Sequence, residues 1–316
     1  HAPMSSAARH LHWGASALWA QLEPLLPGLG VEVLARAEST NTLLVERVRR
    51  PAGRRDEGAP ATGDDPGPGR RQADLGPCLL VAEHQTRGRG RLGRDWVAAP
   101  GASLTFSLSL PLAPQDWSGL SLAVGVALAD ALDLPADAVA PRLGLKWPND
   151  IWLLDAGGGG RKLGGVLIET VPAGDRRVCV VGVGLNVQPI GGVDSDTGVA
   201  CLQELDPRAT APGTLARVAL PLVRALRRFE AEGFGAFVGA YAARDLLRGL
   251  AVTTTAPSCP QGRAEGVDAT GALCVRDAKG QVHRLVSGEI SVRAGGFCVR
   301  CGTRGSECAV DGLAAD

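Results

Sequence analysis

Arg87-Gly88-Arg89-Gly90-Arg91-Leu92-Gly93-Arg94-Asp95-Trp96 is the stretch on which the reading of the fold turns. Gly88, Gly90 and Gly93 spell G-x-G-x-x-G, the dinucleotide fingerprint, and they follow an apolar run from Cys78 to Ala82 that reads as a strand. That fingerprint has to open a helix whose N-terminus holds a pyrophosphate. Here the chain runs on into Val97-Ala98-Ala99-Pro100-Gly101, which breaks a helix. The side chains between the glycines are arginines in all but one case, and a guanidinium keeps its charge at any working pH. Glycine lets the backbone bend sharply and approach a ligand. The stretch therefore reads as a loop that folds around an anion, with charge as well as backbone amides doing the binding.

The chain has 33 basic and 33 acidic residues, so this local excess is not a symptom of a basic protein. A solvated basic turn is the plainer alternative. The 316 residues are 45% hydrophobic and 21% charged, a globular balance sufficient for one large domain and a small one. No run approaches the 18 or so apolar residues of a membrane span, so no membrane partner is expected. His1-Ala2-Pro3-Met4 reads as an artificial lead-in before a native Met4, and Leu18 to Gly30 is broken by Glu23, Pro24 and Pro27, so it is no signal peptide. The eight cysteines are then expected as reduced thiols in a cytoplasmic protein. Cys298-x-x-Cys301 with Cys308 has a hint of zinc spacing but no histidine nearby to complete a site, and no metal site is assigned.

Working outward, Trp13 to Leu26 is expected as a short helix and Val31 to Ala35 as a strand. Glu38-Ser39-Thr40-Asn41 precedes an apolar-periodic run ending near Arg50, an N-cap signature before an amphipathic helix. Capping uses one of those small polar residues and leaves others to bond a ligand. Pro51 to Pro77 holds eleven Pro or Gly in 27 residues and almost no apolar side chain, so it is expected as a disordered insertion. Leu104, Phe106, Leu108 and Leu110 alternate with Ser and Thr, which predicts a strand with one wet face. Ser118 starts a helix. Leu143 to Lys146, Lys162 to Thr170 and Val178 to Val187 are further strands, placing Gln85, Asn149, Asp150, Lys162 and Asn186 at strand ends or turns, where sites are assembled. Two packing helices follow, one kinked at Pro221 and one over Phe234 to Leu247. From Leu250, short strands punctuated by glycines are spaced like a small β-barrel.

These motifs together resemble biotin protein ligase, the biotin–[acetyl-CoA-carboxylase] ligases. The matching pieces are Ser39-Thr40-Asn41, Glu83-x-Gln85 leading into Gly88-Arg89-Gly90-Arg91-x-Gly93-Arg94-x-Trp96, Lys146-Trp147-Pro148-Asn149-Asp150, Arg161-Lys162-Leu163-Gly164-Gly165-Val166-Leu167-Ile168-Glu169, and Gly182-x-Gly184-Leu185-Asn186-Val187. Gly266-Val267-Asp268, Gly271-Ala272-Leu273 and Ser287-Gly288-Glu289-Ile290 match the family's small barrel. The match spans residues 31 to 293, in the family's order and roughly its spacing.

The resemblance implies an α+β fold: a mixed sheet with helices, related to class II aminoacyl-tRNA synthetases, followed by an SH3-like barrel. The expected divisions are a leader over 1–30, a catalytic domain over 31–248 carrying the 51–77 insertion, a barrel over 249–294 and a loose tail over 295–316. It implies a two-step reaction. Biotin and ATP, with Mg2+, give biotinyl-5′-adenylate; a lysine of a biotin carboxyl carrier protein or domain then takes the biotin. Carboxylate attack on the α-phosphate brings anion toward anion, and a charge pair at 4 Å is worth about 4 kcal/mol at an effective dielectric near 20. Arginines and Mg2+ offset that repulsion.

Carried over motif by motif, Ser39, Thr40, Asn41, Gln85, Arg89, Gly90, Arg91 and Lys162 are expected to bind biotin, and Arg91, Arg94, Asn149 and Asn186 the ATP side. Lys162, Arg91 and Asp150 are the expected catalytic residues, Lys162 steadying the migrating charge and Asp150 positioning the carrier lysine or accepting its proton. Trp96 is given a packing role. The arginine loop is expected to close over the adenylate, because a mixed anhydride needs shielding from water. Some relatives carry an N-terminal DNA-binding domain; the 38 residues before Ser39 show no helix-turn-helix pattern, so no DNA partner is expected. A homodimer is left open. A lipoate or octanoate ligase of the same fold, a nicotinamide-binding oxidoreductase and a non-catalytic biotin binder remain the competing readings.

Overall fold

In the computed structural model, the residues described are 11–50, 75–133, 140–155, 159–190, 199–286 and 292–294. The expected 51–77 insertion, apart from its last three residues, lies outside them, as do the Cys298, Cys301 and Cys308 group, the 295–316 tail and the Ser287 to Ile290 motif.

The apolar run before the arginine loop is buried because it sits well inside a sheet. Cys78–Gln85 (β2) pairs in parallel with Gly30–Ala37 (β1) and antiparallel with Ser103–Pro111 (β5). Beyond β5 come Arg176–Asn186 (β9), Gly160–Ala173 (β8), Asp150–Leu154 (β7) and Leu143–Lys146 (β6), all antiparallel. The result is a seven-stranded mixed sheet in the order β1-β2-β5-β9-β8-β7-β6. Side chains alternate across a strand, and both faces are covered. Leu79, Val81, Leu104, Phe106, Leu108 and Leu110 face the larger core, which includes the helices Ala15–Leu22 (α1), Leu120–Leu132 (α3) and Ala211–Glu232 (α4). Leu80, Val171, Val178 and Val180 pack on the other side with Leu44, Val45 and Val48 of Thr40–Arg49 (α2).

The expected wet face of β5 is the main correction to the sequence reading. Ser103, Thr105, Ser107 and Ser109 are all buried. Their hydroxyls lie on the same side as α2, and Thr105 and Ser107 form part of a cavity floor.

Two helical expectations also change. Trp13 to Leu26 shortens to α1, which starts after Gly14 in the left-handed region, φ 62°. Pro221, where a kink is expected, lies inside the continuous α4. The Phe234 to Leu247 helix reduces to a 3-10 turn at Phe234–Phe237 and a short helix, Val238–Ala242 (α5). The chain leaves the helix because its next residues pair with β6: the Leu145 N–H donates to the Arg244 carbonyl at 2.7 Å, and the Leu246 N–H to the Leu145 carbonyl at 2.9 Å.

The C-terminal part is an antiparallel sheet of Ala251–Thr254 (β10), Gln261–Val267 (β11), Leu273–Arg276 (β12), Val282–Leu285 (β13) and Val292–Ala294 (β14), ordered β13-β12-β11-β10-β14. Its buried Val252, Ala264, Leu273, Val275 and Leu285 belong to the same core as the large sheet. Gly271 closes the junction; a Cβ there would lie 2.8 Å from the Gly119 Cα.

Candidate active site

The arginine stretch is a hairpin, which removes the dinucleotide reading. Gly88–Arg89 (β3) pairs antiparallel with Asp95–Trp96 (β4) around a 3-10 turn at Arg91–Gly93. No helix follows it. Gly88 is glycine because a Cβ would collide with the Trp96 carbonyl oxygen, a hairpin constraint rather than a phosphate contact. Leu92, at the tip, has φ 57°, a conformation unusual for a branched side chain.

Beneath this hairpin lies a cavity of about 170 Å³ whose floor is the α2-side face of β5, β9 and β8. One end is a connected chain of small polar groups. Ser39 caps α2, its hydroxyl accepting from the Thr42 N–H at 3.4 Å. The Thr40 N–H donates to Gln85 Oε1 at 3.0 Å, and Thr40 Oγ1 lies 2.6 Å from Ser107 Oγ. The Ser107 hydroxyl donates to Asn41 Oδ1 at 2.6 Å. Asn41 Nδ2 donates to the Leu167 carbonyl at 3.2 Å and to Glu169 Oε2 at 3.0 Å. Buried polar groups are costly unless satisfied, and this network fixes their directions.

The other end is cationic. Lys162 Nζ is 2.9 Å from Asp150 Oδ1 and 6.0 Å from the centroid of the Trp96 ring. Arg91 Nη1 is 3.5 Å from Asn149 Oδ1, and Asn149 is held by its Nδ2 bond to the Val166 carbonyl at 2.8 Å. Burial pulls the Arg91 guanidinium below its ordinary pKa, with Asp150 opposing and Arg94 adding to the fall. A half-buried cation that is costly to desolvate is one that gains from an arriving anion. Arg89 belongs to the polar end: it donates to Thr42 Oγ1 at 3.3 Å and lies 3.5 Å from Glu169 Oε1. Trp96 packs on β9, where a Cβ at Gly184 would come within 2.6 Å of its ring. Its buried Nε1 has no acceptor among the described residues. The indole is also part of the cavity wall.

Ser39, Thr40, Asn41, Gln85, Arg89, Gly90, Arg91, Arg94, Asn149, Asp150 and Lys162 all line this cavity. Asn186 does not: its Nδ2 donates to the Ala200 carbonyl at 3.1 Å, and it sits on β9 two residues beyond the wall residue Gly184. Arg87 lies outside, 4.0 Å from Glu38 at the surface. Ser107 and Glu169 were missed as candidates. Ser107 gave no signal beyond alternation; Glu169 stood in a quoted motif but had no chemistry attached. Among the described residues no group of three or more His, Cys, Asp or Glu is placed to hold a metal. No helix there is long and apolar enough to cross a membrane.

Comparison with known proteins agrees with this architecture. The profile of the Biotin/lipoate A/B protein ligase family matches residues 72–186, and that of the Biotin protein ligase C terminal domain matches residues 252–293. A biotin–[acetyl-CoA-carboxylase] ligase of Mycobacterium tuberculosis is 35% identical over 234 residues, covering 69% of this chain and 80% of that protein. A bifunctional ligase/repressor of Salmonella typhimurium is 32% identical over 272 residues, covering 84% and 74%. Among solved structures, a biotin protein ligase from Aquifex aeolicus in complex with biotin and ATP superposes with a TM-score of 0.63 at 25% identity, covering 84% of this chain and 99% of that one. On sequence, on fold and on the convergence of its motifs around one cavity, this chain belongs to the Biotin/lipoate A/B protein ligase family as a biotin protein ligase.

Proposed function

We propose that the chain activates biotin with ATP to biotinyl-5′-adenylate and passes the biotin to a lysine of a biotin carboxyl carrier protein or domain. One observation carries the reading: four separate segments, Ser39 to Asn41, Gln85 to Arg94, Asn149–Asp150 and Lys162, bring a polar chain and a cationic end together in one cavity. The solved relative from Aquifex aeolicus holds biotin and ATP, and the relatives named for acetyl-CoA carboxylase point to the acceptor class.

In this reading the ureido ring of biotin, with N–H donors and a carbonyl acceptor, meets Ser39, Thr40, Asn41 and Gln85. The carboxylate lies toward Lys162 and Arg91. As it attacks the α-phosphate, negative charge spreads over the phosphoryl oxygens. Lys162, held by Asp150, and Arg91, held by Asn149, are fixed cations at that point, each worth about a hundredfold or more in rate. Arg94 supports the hairpin, and Asn186, outside the cavity wall, holds the Ala200 carbonyl instead of the nucleotide. The reaction would also use a Mg2+ ion bound with ATP. It needs one or two carboxylates beside the phosphates; Asp150 is engaged by Lys162, so Asp95, the other carboxylate on the wall, would hold it. It would supply charge neutralisation on the phosphates. In the second step Asp150 is the carboxylate beside the anhydride and takes the proton of the incoming lysine.

Pyrophosphate release that requires both biotin and ATP, followed by biotin transfer to a purified carrier domain, tests the proposal. Lys162→Ala and Arg91→Ala are each expected to slow adenylate formation about a hundredfold. Undiminished rates in both would overturn it.

A further inference from the structure

Lys162 is fixed from outside the cavity as well as from inside it. The pairing of β8 with β9 reaches its last partners at Gly164 and Leu185. Past that point the backbone of Lys162 is taken up by the segment 199–204. Val199 bridges Lys162 in parallel, and the Ala200 N–H donates to the Lys162 carbonyl at 2.8 Å.

That segment is fastened by the residue next to Lys162. The Arg161 guanidinium forks onto the Glu204 carboxylate at 3.1 and 2.5 Å and donates to the Val199 carbonyl at 3.3 Å. Asp155 lies 3.7 Å from the same group. Glu204 Oε1 also accepts from the Cys201 N–H at 3.0 Å, so the carboxylate closes the turn it belongs to. The hydrogen bonds Arg161 donates to Glu204 raise the Arg161 pKa; burial pushes the Glu204 carboxyl up, but Arg161 and the Cys201 N–H pull it further down. Adjacent strand residues face opposite ways; Lys162 lines the cavity and Arg161 does not. A bidentate fork fixes geometry as well as charge, which a lysine cannot reproduce.

We propose that Arg161 and Glu204 are positioning residues for adenylate formation: their forked ion pair clamps the segment 199–204 against β8 and so holds Lys162 in register with the reacting carboxylate and phosphate. The inference rests on the role given above to Lys162.

The test is single-turnover adenylate formation at saturating biotin and ATP, with biotin affinity and melting temperature measured in parallel on the same full-length variants. Arg161→Ala and Glu204→Ala are each expected to slow the step by about ten- to a hundredfold, the cost of a displaced reacting group. Biotin affinity should stay within about twofold, since neither residue touches the cavity. The double variant should be no slower than either single one, as for partners in one interaction. Arg161→Lys should stay slow, and the swap of Arg161→Glu with Glu204→Arg should recover most of the rate. Glu204→Gln, which keeps the shape, serves if Glu204→Ala fails to fold. Losses that multiply in the double variant, or full rates in both singles while Lys162→Ala is slow, overturn the clamp alone. A full rate in Lys162→Ala removes the role of Lys162 and the clamp with it.

Discussion

A methyl group placed on Gly182 would collide with the Asn41 side-chain oxygen, Oδ1. That oxygen is the acceptor for Ser107, and the same side chain holds Leu167 and Glu169. Gly182→Ala therefore acts on the polar end of the cavity without removing a polar atom. Overpacking of this kind costs about 1–3 kcal/mol, and displacing Asn41 breaks the network that aims Thr40 and Ser107. Biotin affinity by titration should fall about tenfold, a change of about 1.4 kcal/mol, while affinity for ATP stays near that of the parent. Equal affinity for biotin would mean that Asn41 is not held in place by this packing. The cationic end differs: its charges are set by neighbours in sequence motifs, so its residues stood out from the chain alone.

The start of α2 performs two tasks that can be separated. Ser39 caps the helix through its hydroxyl and also faces the cavity. Alanine at an N-cap costs about 1 kcal/mol, whereas glycine costs only a few tenths. Ser39→Ala should lower stability to chemical denaturation by about 1 kcal/mol and Ser39→Gly much less. If the hydroxyl also serves biotin, both should weaken biotin binding alike; affinity that tracks stability instead would reduce Ser39 to a cap. The cap was legible because its chemistry is local, and so were the buried strands β2 and β9. The face of β5 was not. Alternation marks which residues share a side, but α2 and the hairpin decide that the Ser and Thr side is dry. The truncated helix after Phe234 failed for a similar reason: Arg244 and Leu246 give their backbone bonds to Leu145, a partner a hundred residues away in the chain that no local pattern reveals. Strand β10, short and half threonine, carried too little periodicity to be seen.

Across the whole molecule, several carboxylates tie distant segments together. Asp133 Oδ2 accepts from the Arg142 and Leu143 N–H groups at 2.8 and 3.0 Å and from Arg244 at 2.8 Å, and the side chains of Asp133 and Arg244 are both buried. Burial pushes the Asp133 carboxyl up, but Arg244 and the two amides outweigh it and hold it below the ordinary range. Asp268 is brought down to about 2 by Thr270, Arg284 and two backbone amides, again against burial. A carboxyl whose pKa is lower in the folded state gives stability that is present above its unfolded value, near 4, and is lost as pH falls through the folded one. Asp245, raised by burial, works the other way and offsets part of that loss. Asp133→Asn should cost about 3 kcal/mol at pH 7 and clearly less at pH 3, measured by denaturant unfolding; an equal cost at both would remove the ionised pair as the cause. Finally, Trp147 is fully enclosed and gives its indole N–H to the Gly271 carbonyl at 3.1 Å, while Lys146 and Pro148 on either side are cavity wall. The small sheet is thus a keystone: pruning it away would strand that donor in apolar surroundings, a penalty of about 1–3 kcal/mol, and the slack would be felt first by whatever the pocket was gripping.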